Sequence, residues 1–374
     1  MQTHLYLIHV INLLCYILKT KNRYYKLFAD CFAVKGYSRS VICDITRKKF
    51  DFIPNSLYEI IIDEVIDIFS YHNILDDEST EIFNEYIDFL LREEYIYEIL
   101  DISEKDNYPA IDLKFDYPAK ISNAVIDYNG DYDLFVKSIC QLELMNCNFL
   151  IVRFLIPVKI IEIENILLLI NDSIIFSIDI IVDYSIDYNE ECMLEMMLKY
   201  PRINIVTIFS SPTTSHNKTI LNNGMGHLIF SQKEYNKDEI LKIKGENNFV
   251  INIKLFTESY NYNNFFHKKV FISEIGDVKN SPFAKIIFGN IQNNSLENII
   301  NHTDFKKIWY VKKDFIEVCK DCEFRYMCVD NRNPVQKKVN EWYFEDECHY
   351  NPYINKWNFD EQNLTFPAFN TTLL

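Results

Sequence analysis

Residues 148–170 read NFLIVRFLIPVKIIEIENILLLI. The first eight form an apolar run interrupted by Arg153. The last ten place apolar residues at helical spacing. A short apolar run followed by a helix is a βα unit, and a strand apolar on both faces belongs inside a parallel sheet. The pattern extends both ways. Strand-like runs start near Ile121 (ISNAVIDY), Ile174 (IIFSIDIIVDY), Ile203 (INIVTIF), His227 (HLIFS) and Phe249 (FVINIKLF). Helical patterns DLFVKSICQLELM and EECMLEMMLKY fall between them. Five or six such units predict an α/β fold, either a partial (β/α) barrel or a doubly wound sheet, with ligands at the strands' C-terminal ends. Those ends offer Asp127, Arg153, Asp183 and Ser210. Each reads more simply as a loop polar residue than as a catalyst.

Upstream, residues 24–34, 39–46 and 48–53 are short and β-rich, punctuated at Lys35-Gly36-Tyr37 and Thr46-Arg47. Pro54-Asn55-Ser56 opens a helix carrying Leu57, Ile60, Ile61 and Val65. A second helix follows Asp77 and puts Ile82, Phe83, Tyr86, Ile87, Leu90 and Leu91 on one face. Three strands and then helices make a small winged-helix-like unit. Downstream, KKVFISEIGDVKNSP reads as a hairpin turning at Ile275-Gly276-Asp277, and Ser295 caps a helix. The layout is an extension at 1–20, a winged-helix-like domain at 21–105, βα units at 115–265 and a cysteine-rich domain at 266–374.

Composition narrows the function classes. The 374 residues carry a net charge of −16, which argues against a nucleic-acid backbone binder. An acidic surface more readily hosts a neutral or basic peptide. Residues 5–18, LYLIHVINLLCYIL, are fourteen against the roughly 20 a membrane span needs, so no stable span is expected. They lack a signal peptide's positive start and cleavage site. A mis-called start codon is the preferred reading of the extension, and the protein is placed in the cytoplasm.

Six of the ten cysteines are scattered, at 15, 31, 43, 140, 147 and 192. They read as buried free thiols in a reducing compartment. The other four are close together: Cys319, Cys322 and Cys328 in CKDCEFRYMC, then Cys348. Thiolates are soft ligands and select zinc or iron–sulfur clusters. Zinc prefers two short-spaced pairs, whereas one distant ligand is common for a [4Fe–4S] cluster. Spacing alone leaves both open, with Lys312, Lys313 and Lys320 favouring an anionic group.

With the GNI at 289–291 and SLENII at 295–300, this cysteine string resembles the SPASM domain. That module carries auxiliary clusters in peptide-modifying radical S-adenosylmethionine enzymes. CKDCEFRYMC with CHYNPY, and KLFADC, KGYSRSVICD and FIPNSLYEI near the start, resemble the peptide maturases of grasp-with-spasm systems. The resemblance implies a radical-enzyme type of partial (β/α) barrel and one [4Fe–4S] cluster on Cys319, Cys322, Cys328 and Cys348. It also implies an ATP-grasp ligase partner. Residues 24–100 resemble leader-peptide-binding domains, in which a precursor's leader adds as a strand beside the third strand. The implied surface here is Lys49, Phe50, Asp51, Phe52 and Tyr86.

The departures shape the expected function. A second auxiliary cluster would need thiols where this chain reads KNSP, GNIQNN and VDNRN. The radical motif C-x3-C-x2-C occurs nowhere, and the loop after AVIDY reads NGDYDLF. S-adenosylmethionine is therefore not expected, unless Cys140 and Cys147 supply non-standard ligands near the strand mouth. The reading is a maturation protein for a ribosomally made peptide, whether catalyst or scaffold. The alternative is a non-catalytic interaction protein stabilised by zinc or an iron–sulfur cluster.

Overall fold

The computed structural model describes residues 23–63, 65–221, 224–237 and 249–358. The extension at 1–20, with Cys15, and the last sixteen residues lie outside them. Among the described residues no helix is long and apolar enough to cross a membrane.

The chain opens with β1 (Tyr24–Leu27), β2 (Cys31–Lys35), β3 (Ser40–Asp44) and β4 (Lys49–Ile53). The run read as one strand over 24–34 breaks at Ala29-Asp30, and its halves join different sheets. β2, β3 and β4 form an antiparallel meander, with Cys43 opposite Phe50 and Val41 opposite Phe52. β1 instead lies between the short β5 (Ile66–Asp67) and β6 (Ile96–Ile99). Helices α1 (Asn55–Ile61), α2 (Ile68–Ile74) and α3 (Asp77–Arg92) complete this unit. Asp76 caps α3 through the Ser79 N–H at 2.8 Å. Phe83, Ile87 and Leu90 of α3 bury against Ile42, Ile53 and Leu57. Sequence periodicity misses α2, whose seven residues bury none of their side chains.

The large sheet follows the βα pattern. Its parallel strands are β7 (Asn123–Tyr128), β8 (Phe149–Phe154), β9 (Ser177–Asp183), β10 (Ile203–Phe209) and β12 (Gly224–Phe230). They stand in that spatial order, with β11 (Ser215–Leu221) as an antiparallel edge. Helices α4 (Tyr132–Leu144), α5 (Ile160–Asn171) and α6 (Glu190–Lys199) connect them. Strand residues of one parity, such as Ala124, Ile126, Val152 and Ile180, pack with these helices. The opposite parity, Val125, Ile151, Ile181 and Phe209, forms a separate smaller cluster. From β7 to β10 each new strand adds on the same side of the sheet, with the connecting helices on one face. The edges are β11 and β15 (Gly289–Asn290), and they do not pair with each other among the described residues.

One expected strand is absent. Residues 249–256 hold a single bridge, Phe249 to Cys328, and then enter α7 (Ile253–Asn261). Asn252 decides this, because its side chain accepts the Leu255 N–H at 2.8 Å and caps the helix. The sixth parallel strand is β13 (Lys269–Ile272), which lies beside β7. It turns through Gly276, at φ +86, into β14 (Asp277–Lys279). Helix α8 (Leu296–Asn301) follows, capped by Ser295 as expected.

Candidate metal centre

The cysteine loop is built from consecutive tight turns. Lys313–Phe315 and Cys319–Asp321 are single 3-10 turns. Between them Val318 stands at φ +68, ψ −50, and the Cys319 N–H reaches back to the Glu317 carbonyl at 2.8 Å. That is a γ-turn of the strained hand, which a β-branched residue adopts only when its surroundings hold it. The Cys322 N–H then bonds the Cys319 carbonyl at 3.1 Å, and the Cys328 N–H bonds the Phe324 carbonyl at 2.9 Å. These turns fold C-x2-C-x5-C back on itself. Phe324 and Met327 point into the core with Val34, Val41 and Tyr350.

Cys319 is buried, Cys322 and Cys328 are half-buried, and Cys348 is exposed, its sulfur accepting the Tyr350 N–H at 3.4 Å. Burial pushes the Cys319 and Cys322 thiols far up and the Cys328 thiol to about 11. Each of these three is pushed further by one or more of the other cysteines of the set, Cys348 acting on Cys328. Lys313 and Arg332 pull the opposite way on Cys319 and Cys328. Among the described residues no three His, Cys, Asp or Glu side chains stand at metal-holding positions. Neutral thiols do not attract one another, whereas a soft cation displaces their protons and draws them in. The chemistry of the donors suits a thiophilic metal group: Cys319, Cys322 and Cys328 influence one another, Cys348 acts on Cys328, and Lys313 and Arg332 act on Cys319 and Cys328.

The places where a second cluster would need thiols are tied into polar contacts. Asn280 donates to the Phe305 carbonyl at 3.0 Å, and Asn290 donates to Asp277 at 2.9 Å. Asp330 and Arg332 form an ion pair, with Nε to Oδ1 at 2.9 Å.

The N-terminal hairpin sits on this loop. The Tyr37 N–H bonds the Asp321 carbonyl at 2.8 Å, and Arg325 donates to the Lys35 carbonyl at 2.5 Å. The fully buried Glu323 accepts from Arg39 Nε at 2.9 Å and from the Tyr350 hydroxyl at 2.5 Å. A side chain at Gly36 would strike the Arg39 carbonyl oxygen and come within 3.0 Å of Glu323, so glycine permits this approach. Phe50 and Phe52 of β4 meet the Phe324 ring at 5.9 and 5.8 Å, and Arg39 lies 3.4 Å over Phe52.

The other expected peptide-binding residues line one side of β4. That strand pairs with β3 and with no other strand among the described residues. Helix α3 runs alongside, antiparallel to it. Lys49 Nζ donates to the Glu93 carbonyl at 2.9 Å. Asp51 accepts from Tyr95 at 2.7 Å, and Tyr86 bonds Ser56 at 2.8 Å. Lys49 and Asp51 therefore face the end of α3, with Tyr86 nearby at Ser56, while Phe50 and Phe52 share the opposite face of β4 and turn toward the cysteine loop.

The strand mouth shows a convergence that the strand-end reading missed. Asp127 and Arg153 stand opposite each other in register and form a buried two-pronged ion pair at 2.6 and 2.8 Å. Arg153 also donates to the Lys237 carbonyl at 2.6 Å, and the Tyr235 N–H bonds Ser210 Oγ at 3.1 Å. The signal was present, since opposite charges interrupt two apolar strands at matched positions. The connection from β7 to α4 is only Asn129–Asp131, with Gly130 at φ +98. Cys140 and Cys147 do not reach this mouth. Cys147 lies buried at the opposite strand end, near the Ser122 carbonyl at 3.6 Å, and Cys140 is exposed near the end of α4.

The scattered thiols Cys31, Cys43 and Cys147 are buried as expected, with burial pushing Cys43 and Cys147 up to about 12. Cys140 and Cys192 are not buried.

Comparison with curated proteins finds no match. A crystal structure of Streptococcus suis SuiB bound to S-adenosylmethionine aligns with 81% of this chain and 94% of its own. Identity is 9% and the TM-score 0.29, too low to carry an argument. The family comparison is specific to one segment: residues 266–323 match SPASM, an iron–sulfur cluster-binding domain, and the match ends in the cysteine loop just after Cys322.

Proposed function

We propose that this chain is a maturation protein for a ribosomally made peptide, with one [4Fe–4S] cluster on Cys319, Cys322, Cys328 and Cys348. The observation that carries the reading is the cysteine loop at the end of the iron–sulfur domain match, packed directly against an open-edged strand. In this reading a leader peptide adds along β4, where main-chain bonds give affinity and α3 supplies one wall. Lys49, Asp51 and Tyr86 would meet the leader on the α3 side of β4, and Phe50 and Phe52 link the strand to the loop. The partner would be an ATP-grasp ligase. This reading makes no use of S-adenosylmethionine; it is supported by the lack of C-x3-C-x2-C and by the short connection Asn129–Asp131 between β7 and α4.

The test is a co-expression experiment with a candidate short precursor peptide and an ATP-grasp ligase. The reading expects a peptide mass shift or yield that depends on this chain and is lost in Phe52→Asp. A peptide that behaves identically with and without the chain would overturn it. The second reading is a metal-stapled interaction protein. It is favoured by Glu323, whose contacts make the loop a structural clasp between both ends of the chain.

A further inference from the structure

Two lysines are buried in the described structure, Lys269 and Lys313. Lys269 has a carboxylate partner, Glu258 at 3.3 Å, together with the Asn264 carbonyl at 2.6 Å. Lys313 has none among the described residues. Its ammonium donates to the Cys328 carbonyl at 2.5 Å and to Asn264 Oδ1 at 3.3 Å, both neutral acceptors. A buried charge without a counter-ion is costly, and removing it often stabilises a fold. Arg332, the other cation facing the thiols, is already matched by Asp330. With neutral thiols the neighbourhood therefore carries one unmatched positive charge. Four thiolates around either an oxidised [4Fe–4S] core or a zinc ion carry a net charge of −2. Lys312, next in sequence, does not share this position: it pairs with Asp314 at 3.6 Å and donates to the Tyr260 carbonyl.

We propose that Lys313 is the built-in counter-charge of the metal–thiolate group. It is a positioning residue that the metal-free fold tolerates at a cost and the metal-loaded fold requires. The inference rests on the reading that these thiols hold a metal. Lys313 acts through charge at fixed distance, anchored by the carbonyl of one of the cysteines it serves. It thereby favours retention of an anionic metal–thiolate group.

The experiment compares wild type with Lys313→Gln, Lys313→Arg and Lys312→Gln. Metal retention is read by chelator competition, and melting of the metal-free proteins is read separately. Lys313→Gln should lose metal at roughly tenfold lower chelator, the scale of one charge pair inside a protein, while its metal-free form melts no lower than wild type. Lys313→Arg should restore retention, and Lys312→Gln should match wild type. If the metal is iron, Lys313→Gln should also lower the midpoint potential, because a lost positive charge disfavours the reduced cluster. Wild-type retention in Lys313→Gln overturns the inference. So does a parallel loss in Lys312→Gln, or a metal-free melting loss that Lys313→Arg fails to repair. A wild-type protein that takes up no metal overturns the underlying reading instead.

Discussion

Asp179 is a buried carboxylate on the face of β9 turned away from the helices, with the Asn204 amide at 2.9 Å as its side-chain partner. Burial pushes it up to about 7 from its ordinary value of 3.8. A folded-state value above the unfolded one means that the folded chain holds the proton longer. The associated stability is therefore complete below about pH 4, falls as the pH rises toward 7, and levels off above that. At about 1.4 kcal/mol per unit, the three-unit gap is worth roughly 4 kcal/mol. Asp179→Asn should abolish this slope and stabilise the protein above pH 7, as read by urea unfolding across pH 4–8; an unchanged slope would place the titration elsewhere. Val318 offers a second residue-scale test. Its φ of +68 costs a β-branched side chain about 1–3 kcal/mol, and glycine escapes most of that at about 0.5–1 kcal/mol of entropy. Val318→Gly should raise the unfolding free energy by about 1 kcal/mol in chemical denaturation, and a drop would mean that the turn is not strained.

At the scale of elements, the clasp between the cysteine loop and the β2–β3 hairpin should behave as one polar network. Glu323→Ala leaves Arg39 and Tyr350 without their shared acceptor, and should cost about 2–4 kcal/mol in chemical unfolding. A double variant with Arg39→Ala should cost less than the sum, because both changes remove the same bond. Full additivity would show that the contact carries no energy. The elements also show what could be read from sequence. The βα units were legible because long apolar runs and helical spacing reflect burial on one parity or both. The missing strand at 249–256 was not, because the capping Asn252 reassigns an apolar run that periodicity alone cannot type. α2 left little signal because none of its side chains is fully buried and only Ile68 and Tyr71 pack on the core. That Cys319, Cys322 and Cys328 fall in one tight loop was legible from spacing. The different roles of Lys312 and Lys313 were not, since adjacent lysines look alike until one is seen inside and one outside.

For the whole molecule, the loop of four cysteines joins the N-terminal sheet, the end of the iron–sulfur domain match and the C-terminal strands. Metal loading should therefore stabilise segments far apart in sequence. Hydrogen exchange at residues 36–39 and 50–53 should slow on loading; exchange unchanged there would confine the metal's effect to its own loop. The most direct measurement is the iron, acid-labile sulfide and zinc content of anaerobically purified protein, with Cys322→Ala alongside. The account predicts about four irons and four sulfides per chain, the count of one [4Fe–4S] cluster, lost in the variant. One zinc without iron, or no metal at all, would contradict it.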